Sequence, residues 1–391
     1  MQSERCAVCY DVAIVGGGLA GAALAVALAD TRLTVALIDS TPPVASLGWD
    51  ARVYAISPAN VRFLAEIGLW HHLDHGRIVP VEAMRVYGDA GGRLDFTAWG
   101  VGVEALAWIL EATPLQLALW RSARCQRRLT LISPARPVAV RFAAAAAHLD
   151  LDEGRSLAAR LLVAADGRDS WLRQAAGIAV DFLDYDQLGV VANFRCARPH
   201  RHIAYQWFRA DGILAYLPLP ENMISIVWST PTAHGRELLA LAPQQFCARV
   251  ARAGGHVLGE LELVTPPAAF ALKLMRAPRL IGHRLALIGD AAHAIHPLTG
   301  HGINLGFQDA RELAYWLRVK PPHIDGGDIH WLRRYERARR EEIILLQSVT
   351  HALQRLFAPS RRPLAAVRNL GLVLGHRLPL LRSLLARYAM G

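Results

Sequence analysis

The amino-acid sequence predicts an α/β fold in which a mostly antiparallel sheet is inserted between two segments of alternating strand and helix. A glycine-rich turn joins a strand to a helix near the start of the chain, and a second such turn follows a strand expected at 285–288. Between the two turns lie short runs rich in β-branched and aromatic residues, at 188–196, 203–208, 213–217 and 224–229. The α/β part is therefore discontinuous along the chain.

Length and composition narrow the class of protein. The chain has 391 residues, more than one hydrophobic core usually carries, so we expect two domains or one large domain with an insertion. Its 53% hydrophobic and 19% charged residues exclude a disordered chain. We find no apolar run close to the about 20 residues that a membrane-spanning helix needs, and no secretory signal. We therefore expect a cytoplasmic protein.

The net charge of +10 is compatible with nucleic acid, anionic lipid or a phosphate-bearing cofactor as partner. The basic residues form no known nucleic-acid recognition motif, so we expect no nucleic-acid partner. The 5 cysteines are odd in number and spread along the chain, which does not indicate a disulfide framework.

The N-terminal elements read as a βαβ unit. A β-branched run at 10–15 predicts a strand, an alanine- and leucine-rich run at 19–29 predicts a helix, and 34–38 predicts a second strand. Further helices are expected where apolar residues recur at helical spacing or follow the second turn, at 60–67, 115–124, 237–253 and 304–318.

The first turn carries the pattern G-x-G-x-x-G at Gly16, Gly18 and Gly21. The first glycine permits a tight turn, the second lets the backbone approach a pyrophosphate, and the third lets helix and strand pack closely. Asp39 ends the second strand about 20 positions on, where an acidic residue can bind a ribose hydroxyl. The pattern predicts a dinucleotide site, and by itself it fits FAD and NAD equally.

A second motif, Asp166-Gly167, follows a strand expected at 161–165. Taken alone, Asp-Gly after a strand is a common turn.

The third motif begins at Gly289-Asp290, directly after the strand at 285–288. An aspartate at a strand end can hold a ribitol or ribose hydroxyl. The residues that follow would clear space for a flat ring beside the N-terminus of the next helix, namely Pro297, Gly300 and Gly302. The free N–H groups and partial positive charge of that helix end suit a reduced flavin, which carries negative charge near its pyrimidine ring.

In this order, the three motifs resemble those of the aromatic-ring hydroxylase family of FAD-dependent monooxygenases, the p-hydroxybenzoate hydroxylase group. Asp166-Gly167 matches the DG motif of that family, and Gly289-Asp290 matches its GD motif. The resemblance covers nearly the whole chain, from about Asp11 to the end. Further stretches resemble the ubiquinone-biosynthesis branch, at 50–57, 67–70, 214–219, 225–228 and 368–372.

The resemblance implies an enzyme that hydroxylates the ring of a polyprenylated phenol or quinol in ubiquinone biosynthesis. It would use FAD, molecular oxygen and either NADPH or NADH, with a flavin hydroperoxide as the oxygen donor. The implied cofactor-binding residues are Gly16, Gly18, Gly21, Asp39, Arg52, Gln116, Asp166, Gly167, Gly289, Asp290, Pro297, Gly300, Gly302 and Asn304. The loop from Pro297 to Asn304 would face the flavin ring, and the sequence offers no candidate for a general base.

Two details of that loop stay open. His301 stands where the family usually has glutamine, and it either touches flavin or substrate or acts as a spacer open to solvent. His293 and His296 lie close by, but no carboxylate or cysteine set accompanies them, so we expect no metal site.

The order of the expected elements, together with the resemblance, divides the chain into domains. A discontinuous Rossmann-like FAD-binding domain takes in the expected helix around 105–125 and the segments 1–80, 150–182 and 275–345. The inserted, mostly antiparallel sheet forms a substrate domain from 81–104 and 183–274. A basic helical tail occupies 346–391.

The tail has no acidic residue after Glu342, and leucines and valines separate its arginines. This composition suits peripheral contact with the inner face of an anionic membrane, or with a ubiquinone-biosynthesis complex. A tail packed on its own domain explains the pattern equally well. Two other functions also stay open: the same fold acting on another aromatic substrate, and a non-catalytic flavoprotein scaffold subunit.

Overall fold

The computed structural model describes residues 8–45, 48–89, 91–294 and 302–357, and the side chains within these ranges except at 8 and 350–357. The strands in chain order are β1 Val8–Val15, β2 Val35–Ile38, β3 Val53–Ile56, β4 Val79–Val81, β5 Ala83–Tyr87, β6 Arg93–Thr97, β7 Ala107–Glu111, β8 Leu129–Ile132, β9 Pro137–Phe142, β10 Ala147–Leu151, β11 Ser156–Ala164, β12 Asp181–Cys196, β13 Ile203–Arg209, β14 Gly212–Leu219, β15 Met223–Pro231, β16 Leu261–Leu263, β17 Ala268–Arg276, β18 Ile281–Gly282, β19 Leu285–Leu287 and β20 His293–Ala294.

The helices are α1 Leu19–Ala27, α2 Pro58–Glu66, α3 Ala98–Val101, α4 Ala112–Arg124, α5 Trp171–Ala175, α6 Thr232–Ala240, α7 Pro243–Ala253, α8 Gly302–Arg318 and α9 Ile329–Phe357. Short 3-10 turns occur at Trp70–His72, His75–Arg77, Asp152–Gly154 and Gly289–Ala291. Within the described residues, no helix combines the length and the apolar character needed to cross a bilayer.

The first sheet carries the predicted βαβ unit. Its strands run in the order β18-β19-β11-β1-β2-β8, and β9 and β10 extend it through β11. The adjacent strands from β19 to β8 in this order are parallel, whereas β18 is antiparallel to β19. The centre of β1 is fully buried, because helices cover both faces of a parallel sheet. The carboxyl ends of β1, β11 and β19 therefore meet at one edge.

The second sheet is the inserted one. It runs in the order β20-β17-β12-β15-β14-β13-β5-β6, with β16 paired to β12, and its pairs are antiparallel except β5 with β13. The helices α6 and α7 cover one face, where aromatic side chains form the core, including Phe194, Tyr216, Trp228 and Phe246. The predicted fold class, an α/β protein with an inserted and mostly antiparallel sheet, is confirmed.

A small third sheet, in the order β3-β7-β4, lies between the two. Its side chains Val53, Ala55 and Ile109 pack with Leu217 and Met223 of the second sheet. This apolar contact joins the inserted sheet to the rest of the molecule.

Two expectations for the helices need comment. The single helix predicted at 237–253 is wrong, because Leu241 and Ala242 are extended and Pro243 begins a new helix, where its missing N–H costs nothing. In addition, α9 continues without a break across position 345, at which the sequence division separates the cofactor domain from the tail.

Candidate active site

A cavity of about 350 Å³ opens at the edge of the first sheet where β1, β11 and β19 end. It brings together parts of all three predicted motifs. The predicted cofactor residues that line it are Gly18, Arg52, Gln116, Gly167, Gly289, Asp290 and Gly302. The second sheet closes one side through residues of β17, which are Phe270, Ala271, Leu272 and Lys273.

The glycines of the first turn are required by close backbone contacts. Gly16 has φ +109°, and a Cβ atom there would lie 2.2 Å from the carbonyl oxygen of Ala165. A Cβ atom at Gly21 would lie 1.9 Å from the carbonyl oxygen of Gly16. Gly18 is different, because open space surrounds its Cα on the cavity side. The turn is thus packed against its own sheet and leaves one glycine free for a ligand to approach.

The peptide at Gly17 is held from both sides. The Asp39 carboxylate accepts a hydrogen bond from its N–H at 2.5 Å. Its carbonyl oxygen accepts from Gln116 Nε2 at 3.1 Å and from Trp120 Nε1 at 2.7 Å. The second carboxylate oxygen of Asp39 accepts from the Thr41 N–H at 2.8 Å. The structure therefore directs Asp39 onto the turn itself, and its side chain is not part of the cavity lining.

At the DG turn, the aspartate is also engaged by its own segment. Asp166 Oδ1 accepts from the Ser170 hydroxyl at 2.5 Å, and Oδ2 accepts from the Leu172 N–H at 3.1 Å, at the start of α5. Burial raises the pKa of the Asp166 carboxyl, and these hydrogen bonds oppose the rise. Gly167, with φ +83°, is the residue of this pair that reaches the cavity.

A buried arginine ties the DG turn to the GD turn. Arg173 donates to the carbonyl oxygen of Ala291 and to that of Arg168, each at 2.9 Å. It is 2% exposed, so the two turns share one rigid, dry support.

The GD turn rests on a buried ionic cluster. Gly289 has φ +57°, and its N–H donates to Asp309 at 2.9 Å. The same carboxylate accepts from His293 Nε2 at 2.6 Å and from Arg339 Nε at 2.7 Å. Burial would raise the pKa of Asp309, but the charges of His293 and Arg339 outweigh it and hold that pKa below its ordinary value. Arg339 further contacts Glu342.

Asp290, the next residue, points into the cavity. Its carboxylate has no hydrogen-bond partner among the described residues, although the solvent in the cavity reaches it. Protein surrounds it closely, and this burial raises the pKa of Asp290 against the pull of His293, Arg168 and Arg52. An unpaired carboxylate at the base of a cavity is a ready acceptor for ligand hydroxyl groups.

Among the described residues that line the cavity, three cations accompany the single anionic side chain. Arg52, Arg168 and Lys273 all line the cavity. Lys273 also pairs with Asp184 at 3.2 Å, on the solvent side. The cavity thus offers positive charge for phosphate groups and one acceptor for hydroxyl groups.

The N-terminal end of α8 forms another part of the wall through Gly302, Ile303 and Gly306. Asn304 faces away from the cavity and is 4% exposed. Its Oδ1 accepts from the Ser57 N–H at 2.9 Å, and its Nδ2 donates to the carbonyl oxygen of Ala55 at 2.8 Å. Asn304 therefore fixes α8 against the end of β3.

Several predicted residues of the third motif, namely Pro297, Gly300 and His301 together with His296, lie outside the described residues. Of the nearby histidines, His293 is described, and it bonds to Asp309. In the described ranges, no three side chains of the types that ligate metals come close enough to hold an ion.

Sequence reasoning missed five residues that build the site. Tyr54, Arg168 and Lys273 line the cavity, Trp120 holds the first turn, and Asp309 holds the GD turn. A signal for Tyr54 was present, because residues two apart on a strand share a face and Arg52 lies two positions earlier. The contact between Asp309 and Gly289 joins residues 20 positions apart, and no local pattern announces it.

Comparisons with known proteins agree with this geometry. Residues 9–341 match the family described as FAD binding domain. The chain is 37% identical to ubiquinone hydroxylase UbiL of Rhodospirillum rubrum, over 97% of this chain and 89% of the relative. It is 33% identical to 3-demethoxyubiquinol 3-hydroxylase of Escherichia coli, over 97% of this chain and 98% of the relative.

Solved structures show the same fold at lower identity. The p-nitrophenol 4-monooxygenase PnpA of Pseudomonas putida superposes with a TM-score of 0.79 at 18% identity, covering 98% of this chain and 99% of that one. PqsL of Pseudomonas aeruginosa, described as a probable FAD-dependent monooxygenase, has a TM-score of 0.75 at 23% identity. The superposition covers 92% of this chain and 100% of PqsL.

Proposed function

We propose, from the fact that this chain belongs to the family described as FAD binding domain, that it is an FAD-dependent monooxygenase. It hydroxylates the ring of a polyprenylated phenol or quinol intermediate in ubiquinone biosynthesis, with molecular oxygen as the second substrate. The observation that carries the proposal is the similarity, over 97% of the chain, to a relative named as a ubiquinone hydroxylase.

The cavity suits FAD in two of its parts. The open backbone at Gly18, the start of α1 and the guanidinium of Arg52 fit a pyrophosphate, which carries charge and many acceptor oxygens. The unpaired carboxylate of Asp290 fits the hydroxyl groups of the ribityl chain. Gly302 at the start of α8 would bring N–H groups and a partial positive charge to the ring.

The other predicted cofactor residues that the structure describes fall into two sets, and Pro297 and Gly300 lie outside the described residues. Gln116, Gly167 and Gly289 line the cavity and are proposed to contact FAD. Four others are proposed to shape the site through the backbone and side-chain contacts described above, and these are Gly16, Asp39, Asp166 and Asn304. Gly21 belongs with them, since it allows α1 to pack on the turn.

When bound and reduced, FAD supplies the activation of oxygen that no side chain can supply. The chain must then exclude water and hold the ring of the substrate. On β3, Tyr54 faces the cavity, whereas Val53 and Ala55 face the apolar contact with the second sheet. We assign the prenylated ring to the apolar part of the cavity wall, at Phe270, Leu272 and Ile303, because burial of its tail favours such a surface.

NADPH or NADH is the proposed electron donor. The sequence has no second G-x-G-x-x-G, which suits a nicotinamide nucleotide that binds transiently without a domain of its own. Oxidation of NADPH and NADH by the purified protein, followed at 340 nm with and without a quinol substrate, compares the two donors directly.

We also propose peripheral attachment to the inner face of the membrane, since a prenylated substrate resides in lipid. The support is the composition of 346–391, where arginines alternate with leucines and no acidic residue occurs. Binding to vesicles should rise with anionic lipid and fall in part with salt. Loss of this binding on truncation at 358, with FAD retained, would agree with attachment through the tail, and unchanged binding would contradict it.

The function is tested by the intermediate that accumulates when the gene is deleted, identified by mass. We expect a prenylated ring that lacks one hydroxylation, and return of ubiquinone on complementation. Purified protein should oxidise the nicotinamide cofactor faster when that intermediate is added and should yield a product heavier by one oxygen atom. Normal ubiquinone in the deletion strain would contradict the pathway, and FAD binding without any substrate-dependent oxidation would favour a scaffold subunit.

A further inference from the structure

Tyr54 lies on the cavity wall, between Arg52 near the glycine-rich turn and the start of α8 at Gly302. Its strand, β3, begins directly after Arg52, and its far end is held by Asn304 at the start of α8. The strand therefore runs from the cation at the glycine-rich turn to the helix end expected beside the ring. Tyr54 shares a face with Arg52 and lies ~7 Å further along the strand.

The polar surroundings of the phenol leave its proton available. Burial raises the pKa of Tyr54, and the negative charges of Asp290 and Asp50 act in the same direction. The positive charge of the Arg52 guanidinium opposes them. The phenol is therefore neutral near pH 7. None of the residues that the structure describes accepts its proton.

The position of Asp290 completes the arrangement. Tyr54 belongs to the small third sheet, whereas Asp290 follows a strand of the first sheet, and both line the same cavity. One side chain offers a donor and the other an acceptor. A polyhydroxyl chain passing between them could use both, since each of its hydroxyl groups donates and accepts.

We propose that Tyr54 is a further cofactor-binding residue, whose hydroxyl donates a hydrogen bond to the ribityl chain of FAD while Asp290 accepts one from it. This inference rests on the proposed function only in that the cavity binds FAD.

Tyr54→Phe removes the hydroxyl and keeps the ring. We expect the dissociation constant of FAD for the apo-protein to rise about threefold to tenfold, which corresponds to one neutral hydrogen bond. Tyr10→Phe is the matched control, because Tyr10 packs on the same hydrophobic core away from the cavity, and its FAD affinity should be unchanged. Thermal unfolding of each apo-protein detects a purely structural effect.

A double-mutant cycle with Asp290→Asn separates contact with FAD from general damage. If both side chains hold one ribityl chain, Tyr54→Phe should weaken FAD less than twofold in the Asp290→Asn background. If Tyr54→Phe does not fold, Tyr54→Leu, which also removes the hydroxyl, provides the same comparison.

Three outcomes decide the matter. Weaker FAD binding with an unchanged unfolding temperature of the apo-protein, and a non-additive cycle, supports the assignment. Unchanged FAD affinity, or a loss explained by lower stability of the apo-protein, overturns it. A wild-type protein that does not bind FAD overturns the proposed function itself, which is distinct from failure of Tyr54 alone.

Discussion

The DG turn and the GD turn carry the same residue type after parallel strands of one sheet, yet the two aspartates do different work. Asp166 gives both carboxylate oxygens to its own segment, at Ser170 and Leu172. Asp290 gives none to the described protein and faces the cavity. At the GD turn, the carboxylate that accepts a hydrogen bond from the backbone is that of Asp309, which lies on α8.

This difference shows that the same motif residue can have either of two roles. A strand-end aspartate can cap the helix that follows, or it can remain open for a ligand, and the letters of the motif are the same in both cases. At the GD turn a separate buried carboxylate supports the backbone, and this support leaves Asp290 free.

The largest expected effect concerns that support. Asp309→Asn removes the charge that pairs with Arg339 and His293, both of which stay buried. Loss of one partner of a buried ion pair costs about 3–5 kcal/mol in the free energy of unfolding. Chemical unfolding of the apo-protein measures it. The control Asp95→Asn breaks the more exposed pair with Arg93 and should cost less than about 1 kcal/mol. Equal losses of unfolding free energy in the two variants would show that the buried Asp309 cluster stabilises the fold no more than an exposed ion pair.

A smaller effect is expected at the DG turn. Asp166→Ala removes the acceptor for the Leu172 N–H and the partner of Ser170, which caps α5. Loss of a helix cap costs about 0.5–2 kcal/mol, so the apo-protein should unfold at lower denaturant concentration. Asp169→Ala, at an exposed position on the same turn, should leave stability nearly unchanged. If Asp166→Ala is as stable as wild type, its carboxylate does not serve the helix.

The smallest effect is a pH dependence at Asp290. Because burial raises the pKa of this carboxyl above its ordinary 3.8, the folded apo-protein binds the proton more tightly than the unfolded chain. Asp290 thus stabilises the fold most at pH below 3.8, and this contribution is lost as the pH rises through the raised pKa.

Asp290→Asn cannot lose a proton there. We expect it to gain stability relative to wild type between about pH 4 and pH 7, by less than about 1 kcal/mol, because solvent in the cavity screens the charge. Thermal unfolding of both apo-proteins across that range measures the difference. A difference that does not vary with pH would contradict the raised pKa.

Local pattern was sufficient for much of the fold. The first strand, glycine turn and helix were predictable because periodicity and glycine spacing are properties of adjacent residues. The break between α6 and α7 at Pro243 was also readable, but the apolar spacing on both sides concealed it. The strands β8 and β9 escaped prediction because they are short and only partly buried, so alternation is weak.

For the site, the sequence predicted which residues lie at the cavity better than it predicted what their side chains contact. The predicted Gly18, Arg52 and Asp290 do line one cavity. The engagement of Asp39 by Gly17 and the support of Gly289 by Asp309 depend on the folded positions of distant segments. Such contacts have no local signature, and residues such as Tyr54 become visible only when the walls of the cavity are assembled.

The central claim is that Asp290 binds FAD directly and Asp166 does not. The dissociation constant of FAD should be measured for apo-protein carrying Asp290→Ala and, in parallel, Asp166→Ala. A hydrogen bond to a charged group contributes about 1.5–3 kcal/mol, so Asp290→Ala should weaken FAD at least about tenfold. Asp166→Ala should weaken it less than about threefold. Equal losses, or a larger loss in Asp166→Ala, would contradict the account.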